Sequence, residues 1–244
     1  MPGPAANGAF KPAERLGRAV RLIAHRGFAA INPENTIGAV RSAAAVADAV
    51  EFDVRRCGSG ELVVVHDETV DRVTDGTGAV ADLGLTELRS LSVLDSGESI
   101  PTLAEMLAAL PADVEVNLEM KARGIAADVL AALEGVENRV VTTSFLESEL
   151  RAVRELDPEQ PTGLLASRHL ENPVTTAVEF DCDVVGANYW RCLFTPLPDR
   201  ANAVDLEIHA WSIQRPIVAR LLARRGVDCV SADRPLWPSP SADL

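Results

Sequence analysis

Two short stretches of alternating residues carry the chemistry of this sequence. Residues two apart in a strand face the same way. Glu51 and Asp53 therefore share one face, while Val50, Phe52 and Val54 take the other. A second stretch repeats the pattern, with Glu115, Asn117, Glu119 and Lys121 opposing Val114, Val116, Leu118 and Met120. If the apolar sets pack on helices, Glu51, Asp53 and Glu119 converge inside the fold, where unpaired carboxylates are costly. A hard divalent cation with oxygen ligands removes that cost. The competing reading leaves both strands half-exposed with their charges in water, and an isolated Glu-x-Asp pair would favour it. Two polar-faced strands in an otherwise buried-looking chain favour a site.

The chain has four histidines. His25 and His66 each close a strand-like run, where imidazoles can divide acid and base roles near neutral pH; a structural histidine is the bland alternative. His209 shares parity with Trp211 and either lines a cavity or fills it. His169 sits in a polar loop and is given no role. Arg26 follows His25 directly and has the forked donors that suit phosphate. Lys121, in phase with Glu119, adds a point charge. Each cation alone is an ordinary salt-bridge partner; beside a metal, the two describe an anion pocket that phosphate fits best.

Eight strand-like runs must position these groups: 21–25, 49–54, 114–121, 140–144, 161–166, 183–188, 207–213 and 228–232. Helical patterns link most of them, over 36–47, 102–110, 124–133, 147–156 and 216–225. Asn35 or Thr36 caps the first helix, and Thr102 with Glu105 forms a capping box at the second. The alternation predicts a parallel α/β sheet closed as a (β/α)8 TIM barrel, with an open doubly wound sheet as its rival. The first strand ends in His-Arg-Gly instead of a GxGxxG turn, which weakens a dinucleotide-binding fold. After the second strand, a Gly-rich turn leads into Leu62-Val63-Val64-Val65, an antiparallel excursion. The expected organisation is a leader over 1–20, poorly ordered or surface-laid, and a single catalytic domain over 21–244 with an insertion at about 55–94.

The 244 residues suit one such barrel. The net charge of −13 excludes non-specific nucleic-acid binding and polybasic membrane contact. No apolar run reaches the ~20 residues of a membrane span, so no stable membrane insertion is expected. Lys11 and Lys121 are the only lysines, within an acidic, alanine-rich composition like that of salt-adapted proteins. Cys57, Cys182, Cys192 and Cys229 lack metal spacing and read as free buried thiols of a cytoplasmic protein.

Taken in order, the motifs resemble those of the glycerophosphodiester phosphodiesterase family. They are His25-Arg26-Gly27, then Pro33-Glu34-Asn35-Thr36, Glu51-Phe52-Asp53-Val54 and Val65-His66-Asp67, followed by the turn 71–78, Glu119-Met120-Lys121 and Ala210-Trp211-Ser212. The resemblance spans about 22–235. It implies a barrel with an insertion after the second strand and hydrolysis of a glycerophosphodiester to glycerol 3-phosphate and an alcohol. It further implies His25 and His66 as the catalytic pair, and Glu51, Asp53 and Glu119 as ligands of Mg2+ or Ca2+. Arg26, Lys121 and Trp211 become the phosphate- or substrate-side residues, and Glu34 an orienting or substrate-contacting acid that is not a metal ligand. A cyclic phosphate intermediate follows from the same resemblance. Gln214 stands where the family usually has Asn. Rival readings are a lysophospholipase D-type activity, a cyclising phospholipase C-like barrel, and a non-catalytic phosphoester-binding barrel.

Overall fold

The computed structural model describes residues 20–237. Of the expected leader, all but Val20 lies outside them, and Val20 is buried. Nine strands form: β1 (Arg21–Ala24), β2 (Ala49–Arg56), β3 (Leu62–Val64), β4 (Glu115–Met120), β5 (Val140–Ser144), β6 (Thr162–Ala166), β7 (Val184–Asn188), β8 (Glu207–Ile213) and β9 (Cys229–Ala232). Eight are parallel and run β1-β2-β4-β5-β6-β7-β8-β9, with β9 pairing back to β1. The ring is closed, which rules out the open sheet. β3 lies outside it, antiparallel on the end of β2 with Val54 opposite Val64.

The helices are α1 (Ile37–Ala44), α2 (Leu85–Arg89), α3 (Leu103–Ala108), α4 (Ala126–Leu133), α5 (Glu147–Leu156), α6 (Pro173–Glu179), α7 (Tyr189–Phe194), α8 (Leu197–Asn202) and α9 (Pro216–Arg224). Thr36 caps α1 through the N–H of Ala39, and Thr102 and Glu105 close the expected capping box on α3. The short helices α6, α7 and α8 were not among the sequence-predicted helices. Each spans at most two turns, too short for a helical period to declare itself.

Parity places the two halves of each strand. Val50, Phe52, Val54, Val116, Leu118 and Met120 join the main apolar core beneath the helices. Their alternates point into the ring, as the sequence predicted. At the N-terminal end of the ring, Arg21 donates twice to Glu115 (3.0 and 2.9 Å) and pairs with Glu207, while Arg139 lies 2.7 Å from Glu115. This ion network closes that end. The excursion after β2 has its own small core, including Cys57, Val63, Val73, Leu88 and Ile100, so its packing continues past residue 94. All four cysteines are free and buried. Among the described residues no helix is long and apolar enough to cross a membrane.

β1 stops at Ala24, one residue short of expectation, because His25–Gly27 forms a tight turn in which Arg26 and Gly27 have positive φ (51° and 75°). A Cβ on Gly27 would lie 2.7 Å from Ala39 Cβ and 2.8 Å from Ala39 C, against the first turn of α1. Gly27→Ala therefore combines backbone strain with a clash against backbone that cannot yield. We expect a loss of about 2–4 kcal/mol in denaturant titration, together with reduced activity. Wild-type stability in this variant would show that the turn relaxes freely.

Candidate active site

The C-terminal ends of the strands gather most of the candidate residues around one cavity of about 250 Å3. Glu51 and Asp53 rise from β2, and Glu119 rises from β4, with Asp53 and Glu119 in register. Carboxylate oxygens of the three lie within 4.8 Å of one another, and all three residues are buried. Asp53 accepts 2.9 Å from Asn35 Nδ2, and its own N–H donates to Asn35 Oδ1. Glu51 Oε2 accepts the N–H of Arg26 at 2.8 Å. Two buried oxygens, Glu51 Oε1 and Asp53 Oδ1, have no hydrogen-bond partner.

Electrostatics differ sharply among the three. Burial and the neighbouring Asp53 push Glu51 up to about 8. Glu119 is raised for the same reasons, burial first and Asp53 second. Burial acts on Asp53 too, but Arg26 and Lys121 outweigh it and hold Asp53 below the ordinary carboxylate range. An all-oxygen donor set with orphaned buried oxygens suits a hard cation of the Mg2+ or Ca2+ kind. Such an ion would be held by Glu51, Asp53 and Glu119.

Two imidazoles flank this cluster, and each leans on a carboxylate outside it. His25 Nδ1 is 2.6 Å from Asp233 Oδ1, whose other oxygen accepts from Gln214 Nε2 at 2.5 Å. His25 Nε2 lies 3.9 Å from Glu51. Burial pulls His25 down, but Glu51 and Asp233 together hold it above the usual histidine value. His66, just beyond β3, places Nδ1 2.5 Å from Asp67, and Lys121 Nζ sits 3.0 Å from its Nε2. Burial sets His66 below the usual value, helped by Arg26 and Lys121 and opposed by Asp53 and Asp67. An ammonium only donates, so His66 Nε2 accepts and its proton lies on Nδ1, toward Asp67.

Arg26 Nε lies 3.2 Å from Asp53, and Lys121 donates to Glu119 at 2.8 Å. Glu34 is held by two arginines. It accepts from Arg26 (3.0 Å) and takes two bonds from Arg72 (2.7 and 2.8 Å). It lies behind Arg26 and does not line the cavity, whereas Arg26, Lys121 and Trp211 do. Two arginines saturating one carboxylate leave it an orienting part. Arg72 also donates to Asp67 at 2.5 Å, so one guanidinium ties the His25 loop to the His66 loop. Phe145 meets Trp211 edge-on, 5.8 Å between centroids, on the opposite wall.

Sequence reasoning gave no site role to Asp233, Asp67, Arg72 or Asn35, and noted Gln214 only as standing in the family's Asn position. Asn35 and Asp67 belong to the quoted motifs, as Arg72 belongs to the turn 71–78, and that membership was the available signal. Asp233 follows the last strand, 208 residues from His25, and neither its pairing with His25 nor that of Arg72 with Glu34 leaves a local trace.

A (β/α)8 barrel with its acidic, histidine-lined cavity at the C-terminal mouth belongs to the barrel enzymes. Comparison with known proteins says which. Residues 25–236 match the Glycerophosphoryl diester phosphodiesterase family, and the chain belongs to that family. It is 33% identical over 229 residues to a glycerophosphodiester phosphodiesterase of Caldanaerobacter subterraneus, covering 88% of this chain and 94% of the relative. Among solved structures it is similar to an Oleispira antarctica phosphodiesterase in complex with the product sn-glycerol-3-phosphate, with a TM-score of 0.82 and 27% identity over 88% of this chain and 94% of the other. A Thermotoga maritima glycerophosphodiester phosphodiesterase gives a TM-score of 0.76 at 27% identity, with the same coverage. The fold, the insertion strand outside the ring and the phosphodiesterase class expected from the motifs all stand.

Proposed function

We propose that residues 21–244 act as one catalytic domain that hydrolyses glycerophosphodiesters to glycerol 3-phosphate and an alcohol, using a divalent cation and the His25–His66 pair. The observation that carries this reading is one cavity lined by two imidazoles, two cations, Glu51 and Glu119, with Asp53 buried against those two carboxylates. The product complex of the Oleispira antarctica relative supports the substrate class. A cation on Glu51, Asp53 and Glu119 would supply Lewis acidity to a phosphate oxygen and lower the pKa of the adjacent glycerol hydroxyl.

Arg26 and Lys121 bind the phosphoryl oxygens and stabilise the charge that grows there. As phosphate draws Lys121 away, His66 Nε2 is freed to take the proton of the glycerol 2-hydroxyl. That oxygen bonds to phosphorus, the bond from phosphorus to the leaving alcohol breaks, and His25 Nε2 gives the departing oxygen its proton. Water then reopens the resulting cyclic phosphate with the histidine roles exchanged. Asp67 and Asp233 hold the Nδ1 protons, so that each Nε2 faces the cavity. Gln214, in the family's Asn position, secures Asp233.

The free thiols suit a reducing compartment, which supports a cytoplasmic enzyme. A second reading, lysophospholipid hydrolysis, has one observation in its favour. α7 leaves β7 at the mouth end of the barrel and exposes Trp190 and Phe194, stacked with centroids 5.2 Å apart.

The deciding assay is release of glycerol 3-phosphate from glycerophosphocholine with Mg2+, with Ca2+ and with EDTA, beside lysophosphatidylcholine as rival substrate. Release that EDTA abolishes and a cation restores is expected. Undiminished release in EDTA would remove the metal from the proposal. Exclusive cleavage of the lysolipid would select the second reading. Folded protein inert on every diester would favour a binding barrel.

A further inference from the structure

Arg72 comes from the polar turn 71–78 of the excursion after β2, outside the barrel, yet every nitrogen of its guanidinium is engaged at the site. Nη1 and Nη2 fork onto Glu34 at 2.7 and 2.8 Å, and Nε donates to Asp67 at 2.5 Å. Each of these carboxylates backs a residue that lines the cavity. Glu34 accepts one bond from Arg26 Nη1 at 3.0 Å, and Asp67 Oδ1 lies 2.5 Å from His66 Nδ1. Arg26 and His66 line the cavity; Arg72, Glu34 and Asp67 do not. One guanidinium thus stands behind both the phosphate clamp and an imidazole.

The backbone that carries Arg72 is held by the excursion's own packing. Val70 and Val73, which flank it, are buried in the excursion's core. Thr74 pairs with Val93, Asp71 accepts the Gly78 N–H at 3.1 Å, and Thr74 Oγ1 donates to the Val70 carbonyl at 2.9 Å. What the guanidinium does follows from the capacity of the two carboxylates. Arg72 takes Asp67 Oδ2, which leaves Oδ1 for the imidazole. It takes both oxygens of Glu34, so that Arg26 shares only Oε1. Without Arg72, Glu34 can grip the fork of Arg26 with both oxygens, a bidentate pair that competes with phosphate for the same donors. Asp67 can then turn, and His66 loses the bond that fixes its ring and the proton on Nδ1. The backbone of His66 stays, because Arg55 Nε donates to its carbonyl at 2.8 Å.

We propose that Arg72 is a positioning residue through which the excursion keeps Arg26 open to phosphate and His66 oriented for proton transfer. This role rests on the hydrolytic reading above and deepens it, giving the excursion a part in turnover. The two effects run through different carboxylates and are separable. Through Glu34, Arg72 acts on phosphate binding; through Asp67, it acts on the chemical step. Its contribution to stability is small, since the Arg72 side chain is 49% exposed and water screens its ion pairs.

The test measures turnover of glycerophosphocholine and calorimetric binding of glycerol 3-phosphate, with Mg2+ or Ca2+ added. Arg72→Ala is made in the wild-type, Glu34→Ala and Asp67→Ala backgrounds. In the wild-type background it is expected to melt close to wild type and to lose roughly 10- to 100-fold in kcat. It should also bind glycerol 3-phosphate roughly three- to tenfold more weakly. The binding loss should vanish in the Glu34→Ala background and the kcat loss in the Asp67→Ala background, because the carboxylate that carries each is already gone. Arg72→Lys, with one ammonium in place of the fork, should recover at most one of the two losses, and it decides in the same assays if Arg72→Ala does not fold. Unchanged kcat and binding in Arg72→Ala, or losses of equal size in all three backgrounds, would overturn the role and leave the hydrolase standing. If wild type binds glycerol 3-phosphate but hydrolyses no diester, the hydrolytic reading falls, and the binding loss alone upholds or overturns the link from Arg72 to Arg26. Failure of wild type both to bind and to turn over overturns both.

Discussion

His25→Ala and His66→Ala are each expected to give a folded barrel that hydrolyses glycerophosphodiesters about 100- to 10,000-fold more slowly, the range removed with a general acid or base. Both rings are partly exposed at the cavity, 24% and 29% of their side-chain surface, so truncating them opens no core void. Their carboxylate partners keep other donors. Asp233 retains Gln214, and Asp67 retains Arg72. The loss should fall on kcat, because Arg26 and Lys121 still bind the phosphate. A diester with an acidic phenolic leaving group separates the roles, since such an alcohol departs without being protonated. It should rescue much of the His25→Ala defect and little of the His66→Ala defect. Near-wild-type turnover of the choline ester by either variant would remove that histidine from the mechanism, and rescue confined to His66→Ala would exchange the two assignments.

The second large effect concerns stability without metal. Glu51 is pushed up to about 8 from an ordinary value near 4.5. Between these values the folded protein keeps a proton that the unfolded chain has released. The metal-free protein therefore loses stability as pH rises through that window, by about 1.4 kcal/mol per pH unit for a single group and on the order of 5 kcal/mol in all. A cation needs the ionised carboxylates, so its stabilisation should be larger at pH 8 than at pH 5.5. Glu51→Gln removes the repulsive charge while nearly keeping its shape. It should melt higher than wild type in EDTA at pH 8, respond weakly to Mg2+ or Ca2+, and have lost catalysis. Thermal melts of both proteins at the two pH values, with EDTA and with each cation, check this. His25, whose pKa is also raised, contributes stability lost in the same direction, and the difference between wild type and Glu51→Gln isolates the carboxylate. A wild-type melting temperature indifferent to cation at pH 8 would remove the acidic cluster as a metal site.

Much of this site was legible in residue order because strand parity and helix capping act over two to four residues. Glu51 and Asp53 against Val50 and Phe52, or Glu119 and Lys121 against Leu118 and Met120, already separated the inner face from the outer. Thr36 and Thr102 already marked helix starts. Glu34 shows the limit of such reading. Its motif brought it near the cavity, but Arg26 and Arg72 enclose it behind the lining, and the pairing of Glu34 with Arg72 is invisible to any local pattern. The backing of His25 by Asp233 and Gln214 depends likewise on a segment distant in the chain. The sequence by itself determined which residues face inward and which motifs meet at the strand ends. Tertiary structure alone decided which side chains touch, because closing β9 onto β1 and onto β8 brings together groups up to about two hundred residues apart. Hydrogen bonds and ion pairs then select partners within about 3 Å, a distance that no spacing along the chain encodes.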